Sequence, residues 1–112
     1  ARFNYWFATF IGKEPRDTEF YQLARVFKEL KKPKEEMNAY KEAYNENYKN
    51  YRALFQLANT TEHFYKDKKI AYKHYKNYMN KFETKDSLLT VQVKSRLKEI
   101  KKYYFLKGEL LE

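Results

Sequence analysis

The side chains able to do acid–base or metal chemistry are two histidines and a group of carboxylates, and neither has catalytic spacing. His63 and His74 lie on different predicted helices, and the chain has no cysteine, no phosphate-binding glycine loop and no nucleophile motif. Four carboxylates lie among lysines at helical spacing, which is typical of a solvated helix face: Glu35, Glu36, Glu42 and Glu46. We therefore expect no catalytic residues, metal, cofactor or small-molecule substrate.

The composition indicates packed helices. Of 112 residues 20% are aromatic, whereas glycine and proline number two each, which favours a folded helical chain of one domain over disorder. No apolar run is long enough to span a bilayer. The chain begins at Ala1 rather than Met, which predicts a processed product or a piece of a longer chain. The compartment stays open between cytoplasm and, after removal of a signal peptide, periplasm or cell envelope.

The elements that must position any site are helices, and the clearest are two that form a hairpin over residues 51–82. Apolar and small residues recur at helical spacing in the first helix: Leu54, Leu57, Ala58, Thr61 and Phe64. After the polar turn 66–68, a second helix keeps the same period with Ala71, Tyr72, Tyr75, Tyr78, Met79 and Phe82. This pattern predicts two amphipathic helices packed through one face each.

The hairpin has a copy earlier in the chain. Four residues reappear 34 positions later as Leu54, Leu57, Ala58 and Phe64; they are Phe20, Leu23, Ala24 and Leu30. In the second helix the offset is 35, so that Tyr40, Ala43 and Tyr44 correspond to Tyr75, Tyr78 and Met79. A period of this length predicts stacked helical hairpins.

The matching segments FYQLARVFKEL and LFQLANTTEHF, with their leucine–alanine pairs, resemble the tetratricopeptide repeat (TPR). The resemblance implies an all-α superhelix, or solenoid, of TPR-like hairpins, with repeats over 17–49 and 50–83. Residues 1–15 are then the second helix of a partial preceding repeat, and 86–108 form a long C-terminal capping helix, all in one continuous domain.

Capping signals and one further stripe complete the predicted elements. Asp17, Asn50 and Asp86 or Ser87 are candidate N-caps, Pro33 separates two helices, and Gly108 ends the last one. The last helix has an apolar stripe of Leu89, Val93, Leu97, Ile100 and Tyr104. Its other face carries Lys94, Arg96, Lys98, Lys101 and Lys102, which predicts contact with the second repeat on one side and with water on the other.

The resemblance also implies a function, because first helices of TPR arrays line a concave groove that holds a peptide or a partner's helix. The corresponding positions are Tyr21, Gln22, Arg25 and Lys28 in the first copy, and Phe55, Gln56, Asn59, Glu62 and His63 in the second. Asn59 stands where the family often has an asparagine that bonds a ligand's main chain, and Arg25 is its counterpart. The alternative for Tyr21 and Phe55 is that they fill space between repeats.

Charge gives a second hypothesis. The net charge is +9, and Lys31 and Lys34 recur 35 residues later as Lys66 and Lys69. If equivalent turns stack, these lysines form a basic ridge, extended by Lys101 and Lys102, that binds nucleic acid or another polyanion. A third hypothesis is a structural segment of a larger repeat protein. The main expectation is a non-enzymatic scaffold that binds a protein or peptide.

Overall fold

The computed structural model describes residues 16–109 and 111, and every regular element in this part of the chain is an α-helix. The helices are α1 (Asp17–Glu29), α2 (Pro33–Glu46), α3 (Tyr51–Phe64), α4 (Lys69–Phe82) and α5 (Ser87–Leu106). The all-α prediction is confirmed, while the partial repeat expected over 1–15 lies outside the described residues. The chain divides into two compact units, of which the first ends at Ala53 and the second begins at Leu54.

In the first unit, α1 packs along α2 through small and aromatic side chains. Ala24 and Ala43 are fully buried, and short side chains at such positions let two helices approach closely. Tyr40 is buried as well. The rings of Tyr21 and Tyr40 pack edge to face, with their centroids 5.2 Å apart. The core also includes Met37, Ala39 and Tyr44.

The turn between α1 and α2 ends the first helix in a left-handed residue. Lys31 has φ 58°, and the amide of Lys32 donates to the carbonyl oxygen of Phe27 at 2.9 Å while that of Lys31 donates to Lys28 at 3.1 Å. This pair of bonds is the Schellman arrangement, which usually has glycine at the left-handed position. The stripe residue Leu30 lies just beyond α1 and is 58% exposed.

The start of α1 differs from the prediction. Arg16, not Asp17, holds the N-cap position, and its side chain makes no cap bond. The Asp17 carboxylate instead accepts hydrogen bonds from the side-chain amides of Asn47, at 3.3 Å, and Asn50, at 2.8 Å. The other end of the Asn50 amide caps α3, since its oxygen accepts from the amide of Ala53 at 3.0 Å. The predicted Asn50 cap is thus confirmed, and the Asp17 cap is wrong because that carboxylate is used across the hairpin.

The second unit contains most of α3 together with α4 and α5. Most of its buried residues follow the predicted stripes: Leu54, Leu57, Ala58 and Thr61 on α3, Ala71, Tyr72, Tyr75, Tyr78 and Phe82 on α4, and Val93, Ile100 and Tyr104 on α5. Phe55, Glu62 and Thr90 are buried outside these stripes, whereas Phe64, at the end of the α3 stripe, is exposed. Helices α4 and α5 pack directly on each other. Tyrosine hydroxyls in this core need polar partners, so the interior of the unit contains buried hydrogen bonds as well as apolar contacts.

Both ends of α5 carry the predicted signals. The Asp86 side chain accepts hydrogen bonds from the amides of Leu88 and Leu89 at 3.1 and 3.2 Å, a standard N-cap. Gly108 follows the helix with φ 82°, and the amide of Glu109 donates to the Tyr104 carbonyl oxygen at 2.8 Å. The helix is therefore fixed at both termini by local chemistry that the sequence predicts.

Candidate binding surfaces and a buried ion pair

Three of the four groove candidates on α1 are accessible. Gln22, Arg25 and Lys28 are exposed, whereas Tyr21 is half-buried against Tyr40. Burial, followed by the nearby Tyr21 hydroxyl, raises the pKa of Tyr40 to about 12, so its own hydroxyl stays neutral at physiological pH. The accessible part of this helix thus offers one amide and two cations.

On α3 the candidates divide between surface and core. Gln56 and Asn59 are half-buried and His63 is exposed, with its Nδ1 donating to the Asn59 carbonyl oxygen at 2.7 Å. Phe55 is buried, with its ring 6.5 Å from that of Tyr78. Glu62 is buried as well. The side chains of this set that a ligand can reach are therefore those of Gln56, Asn59 and His63.

The Glu62 carboxylate joins the three helices of the second unit. Its side chain is 4% exposed and is paired with the Arg96 guanidinium of α5, whose Nε lies 3.1 Å from each carboxylate oxygen and whose Nη2 also donates to it. The Tyr75 hydroxyl of α4 donates to the same carboxylate at 2.9 Å. A buried carboxylate with one cation and one hydroxyl as partners has its desolvation largely offset.

The ionisation of this cluster follows from its contacts. Burial alone would raise the pKa of Glu62, but hydrogen bonds from Arg96 and Tyr75 outweigh it, and the pKa lies below its ordinary value. Burial, and next the neighbouring carboxylate charge, raise the pKa of the Tyr75 hydroxyl far above its usual range. The hydrogen bond to Glu62 raises the pKa of Arg96. The cluster therefore remains a carboxylate, a phenol and a guanidinium across physiological pH.

Sequence reasoning placed Glu62 in the groove and Arg96 on the solvated face of α5, and it missed their pairing. A signal was present in the spacing. Glu62 follows Ala58 by four residues, which places it on the buried stripe of α3 rather than beside it. An acidic residue on an apolar stripe needs a buried cation or hydroxyl, and Arg96 and Tyr75 provide them.

A second polar cluster organises the turn before α4. The Tyr104 hydroxyl donates to the Asp67 carboxylate at 2.8 Å and accepts from the amide of Lys68 at 2.9 Å. The amide of Lys69 donates to the same carboxylate at 3.0 Å, and this bond, followed by that from Tyr104, lowers the pKa of Asp67. The cluster fixes the loop on α5 and is structural in character.

The basic-ridge candidates are all exposed, but they differ in their contacts. In the first unit, the side chains of Lys31 and Lys34 are exposed to solvent. Lys31 is the residue with left-handed backbone conformation after α1. In the second unit, the Nζ of Lys69 lies 3.6 Å from a Glu109 carboxylate oxygen and 5.6 Å from the centre of the Tyr104 ring. Three more ridge candidates have no carboxylate partner within residues 16–109: Lys66, Lys101 and Lys102.

Two features are absent from the described part of the chain, a metal-binding cluster and a membrane-spanning helix. No cluster of three or more histidine, cysteine or carboxylate side chains there is placed to hold a metal ion. None of the five helices combines the length and apolar character required to cross a bilayer. Comparisons with protein-family models, with curated proteins and with solved structures found no match.

Proposed function

We propose that this chain is a non-enzymatic scaffold of the tetratricopeptide type, which binds a peptide or a helix of a partner protein along the first helices of its hairpins. In this proposal the hairpins stack as a solenoid closed by α5. The ligand-binding side chains are Gln22, Arg25 and Lys28 of α1 together with Gln56, Asn59 and His63 of α3.

The observation that carries the proposal is a shared register in the two first helices. Ala24 and Ala58 occupy equivalent positions and are both fully buried, while the next residue in each helix is polar and not buried: Arg25 is exposed and Asn59 is half-buried. A repeated buried alanine followed by an accessible polar residue supports two equivalent binding positions. Packing alone would not require a guanidinium or an amide there.

The side chains define the ligand. The Arg25 guanidinium suits a carboxylate, which it can engage with two parallel hydrogen bonds. The Asn59 amide has a donor and an acceptor, as needed to bond the main chain of an extended peptide. Lys28 adds a second cation on α1, so the preferred ligand is a peptide with acidic and polar side chains.

The test is selection of displayed random peptides on the full chain, followed by affinity measurement with the double variant Arg25→Ala/Asn59→Ala. We expect selected peptides to be rich in acidic residues and to lose about tenfold or more in affinity, on the order of 1.4 kcal/mol. The matched control is Lys41→Ala/Asn45→Ala, which removes one cation and one amide from exposed positions of α2. Equal losses in both variants would refute the assignment.

The polyanion hypothesis is the second candidate, favoured by the net charge of +9 and by Lys66, Lys101 and Lys102, which have no carboxylate partner within residues 16–109. Charge reversal of Lys31, Lys34, Lys66 and Lys69 separates the two candidates. If nucleic acid is retained by the wild type at low salt, lost by this variant, and unaffected by Arg25→Ala/Asn59→Ala, the basic ridge is the binding site. A steep fall of affinity with salt would accompany that result.

A further inference from the structure

The outward side of α5 carries a regular row of exposed residues that neither the core nor the candidate groove uses. The row, called here the outer strip, consists of Leu88, Val91, Ser95, Lys98, Lys102 and Phe105. The steps between its members are three, four, three, four and three residues, the a and d spacing of a heptad repeat. Such a spacing places all six along one line of the helix, over about 26 Å.

The exposure of the outer strip is unusual for its apolar members. Leu88, Val91 and Phe105 are 75%, 65% and 68% exposed. They lie at the two ends of the strip, and the two lysines lie between them. Lys98 and Lys102 have no carboxylate partner within the described residues. The strip is thus apolar at its ends and cationic toward its middle.

Residues flanking the strip strengthen its positive charge. Lys94 and Lys101 occupy the g positions along one side, where coiled-coil partners exchange ion pairs, and both are exposed. Lys94 lies 3.8 Å from a carboxylate oxygen of Glu83, an exposed pair that a partner's acid can replace at small cost. Glu99 is the only carboxylate on α5 and lies on the other side of the strip.

We propose that the outer strip docks an acidic α-helix of another protein, with apolar residues at both ends and glutamates or aspartates facing Lys98 and Lys102. The six residues lie along one line of α5, and a partner helix presents its own side chains at the same repeat along that line. The lysines specify acidic residues in the middle, and the exposed Leu88 and Phe105 specify apolar ends. This surface is independent of the groove proposed above.

Three other occupants fit the strip less well. A second copy aligned in parallel would place each lysine against itself, in a chain whose net charge is +9. A membrane-surface helix keeps its cations at the edge of the apolar face, whereas here Lys98 and Lys102 lie on its centre line and would enter the bilayer. A nucleic acid would satisfy the lysines but leave Leu88, Val91 and Phe105 without contacts.

The probe is a synthetic helical peptide of three heptads with leucine at the terminal a and d positions and glutamate at the middle ones. A second peptide has lysine in place of glutamate. We expect the full chain to bind the glutamate peptide with a Kd of roughly 1–100 µM and the lysine peptide not at all. In Lys98→Glu/Lys102→Glu the preference should reverse, with at least a tenfold loss for the glutamate peptide.

The matched control is Lys73→Glu/Lys85→Glu, which changes the net charge equally at exposed positions outside α5. It should change affinity less than about twofold. If circular dichroism shows that the reversed variant is unfolded, Lys98→Gln/Lys102→Gln replaces it, with the same loss expected for the glutamate peptide. Equal losses in strip and control variants, or no binding of the glutamate peptide at about 1 mM, would overturn the proposal.

Further arms identify the other occupants, and each would also overturn the proposal. A second copy is the occupant if the wild type sediments as a dimer and the Lys98→Glu/Lys102→Glu variant does not. A membrane is the occupant if the wild type binds vesicles of phosphatidylcholine and phosphatidylglycerol but not the glutamate peptide. A nucleic acid is the occupant if the wild type binds a single-stranded oligonucleotide but not the glutamate peptide. Leu88→Ser/Phe105→Ser should weaken the glutamate peptide several-fold while leaving its preference over the lysine peptide intact. A loss of charge preference in that variant would contradict the placement of the apolar ends.

Discussion

The Glu62–Arg96 pair shows how one residue can decide which helices stay together. Glu62 lies on α3, Arg96 on α5, and the Tyr75 hydroxyl that completes the cluster on α4. Arg96 is 45% exposed, so water screens part of the attraction, whereas Glu62 has almost no access to solvent. Loss of the arginine is therefore more costly than loss of the acid, because it leaves a buried carboxylate without its cation.

The first prediction concerns substitutions in this pair. Arg96→Ala should lower the free energy of unfolding by roughly 1.5–3 kcal/mol at pH 7, the range for hydrogen bonds to charged groups. Glu62→Gln keeps the side-chain volume and leaves the half-exposed Arg96 guanidinium in contact with water. It should therefore lower the free energy of unfolding by less than Arg96→Ala does. The measurement is urea unfolding of both variants, with Lys94→Ala as the control that removes an exposed cation from the same helix. An Arg96→Ala variant as stable as that control would contradict the argument.

The same pair predicts a pH dependence. The pKa of Glu62 is lower in the folded chain than in the unfolded chain, so its stabilising contribution is fully present above the unfolded value of about 4.3. The contribution is lost as the pH falls through the lower, folded pKa. The stability difference between wild type and Glu62→Gln should shrink as the pH is lowered from about 6 toward 3. Asp67 titrates in both proteins, and its effect therefore cancels in this difference.

At the scale of the helices, most boundaries follow from local chemistry. Pro33 occupies the first turn of α2, where its missing amide hydrogen is not needed, and Asn50 and Asp86 cap the starts of α3 and α5 as their side chains predict. The turn after α1 is different. Its left-handed position carries a lysine, whose Cβ makes that conformation unfavourable.

A further prediction follows from that lysine. Lys31→Gly should raise the free energy of unfolding by about 0.5–1 kcal/mol, because glycine adopts the left-handed conformation without the steric cost of a Cβ. Lys32→Gly is the matched control: it removes the same side chain one residue later, at φ −113°, and should be neutral or destabilising. Thermal unfolding measures both. A loss of stability in Lys31→Gly would mean that the lysine side chain makes a stabilising contact larger than the backbone strain.

The helices could be predicted from sequence because their stripes repeat, but the use of individual polar residues could not. The apolar period indicated the buried faces of α3, α4 and α5 directly. In contrast, Asp17 has the sequence signature of a cap and instead binds Asn47 and Asn50, which lie some thirty residues away. Glu62 likewise depends on a partner from another helix. Local spacing contains no information about such long-range partners, so the core was more predictable than the polar contacts.

At the scale of the whole molecule, charge is the property that most constrains the chain's behaviour. Twenty-four basic residues oppose fifteen acidic ones, and the ion pairs described are mostly exposed: Arg16–Glu19, Lys69–Glu109 and Lys94–Glu83. Exposed pairs of this kind contribute little. With a net charge of +9, repulsion among the positive charges of the folded chain therefore exceeds the attraction within these ion pairs. Salt screens this repulsion.

The last prediction tests that balance. Raising sodium chloride from about 0.01 to about 0.15 M should increase the free energy of unfolding by roughly 0.5–1 kcal/mol, as the screening length falls from about 30 to about 8 Å. Lys66→Gln/Lys73→Gln/Lys85→Gln removes three exposed charges and should be more stable than wild type at low salt, with a shallower salt dependence. Asn38→Gln/Asn45→Gln/Asn80→Gln, also at exposed positions, leaves the charge unchanged and should keep the wild-type slope. If stability instead falls as salt rises, attractive ion pairs exceed self-repulsion, and the lysine excess is held by acidic partners within the chain rather than being available to acidic partners outside it.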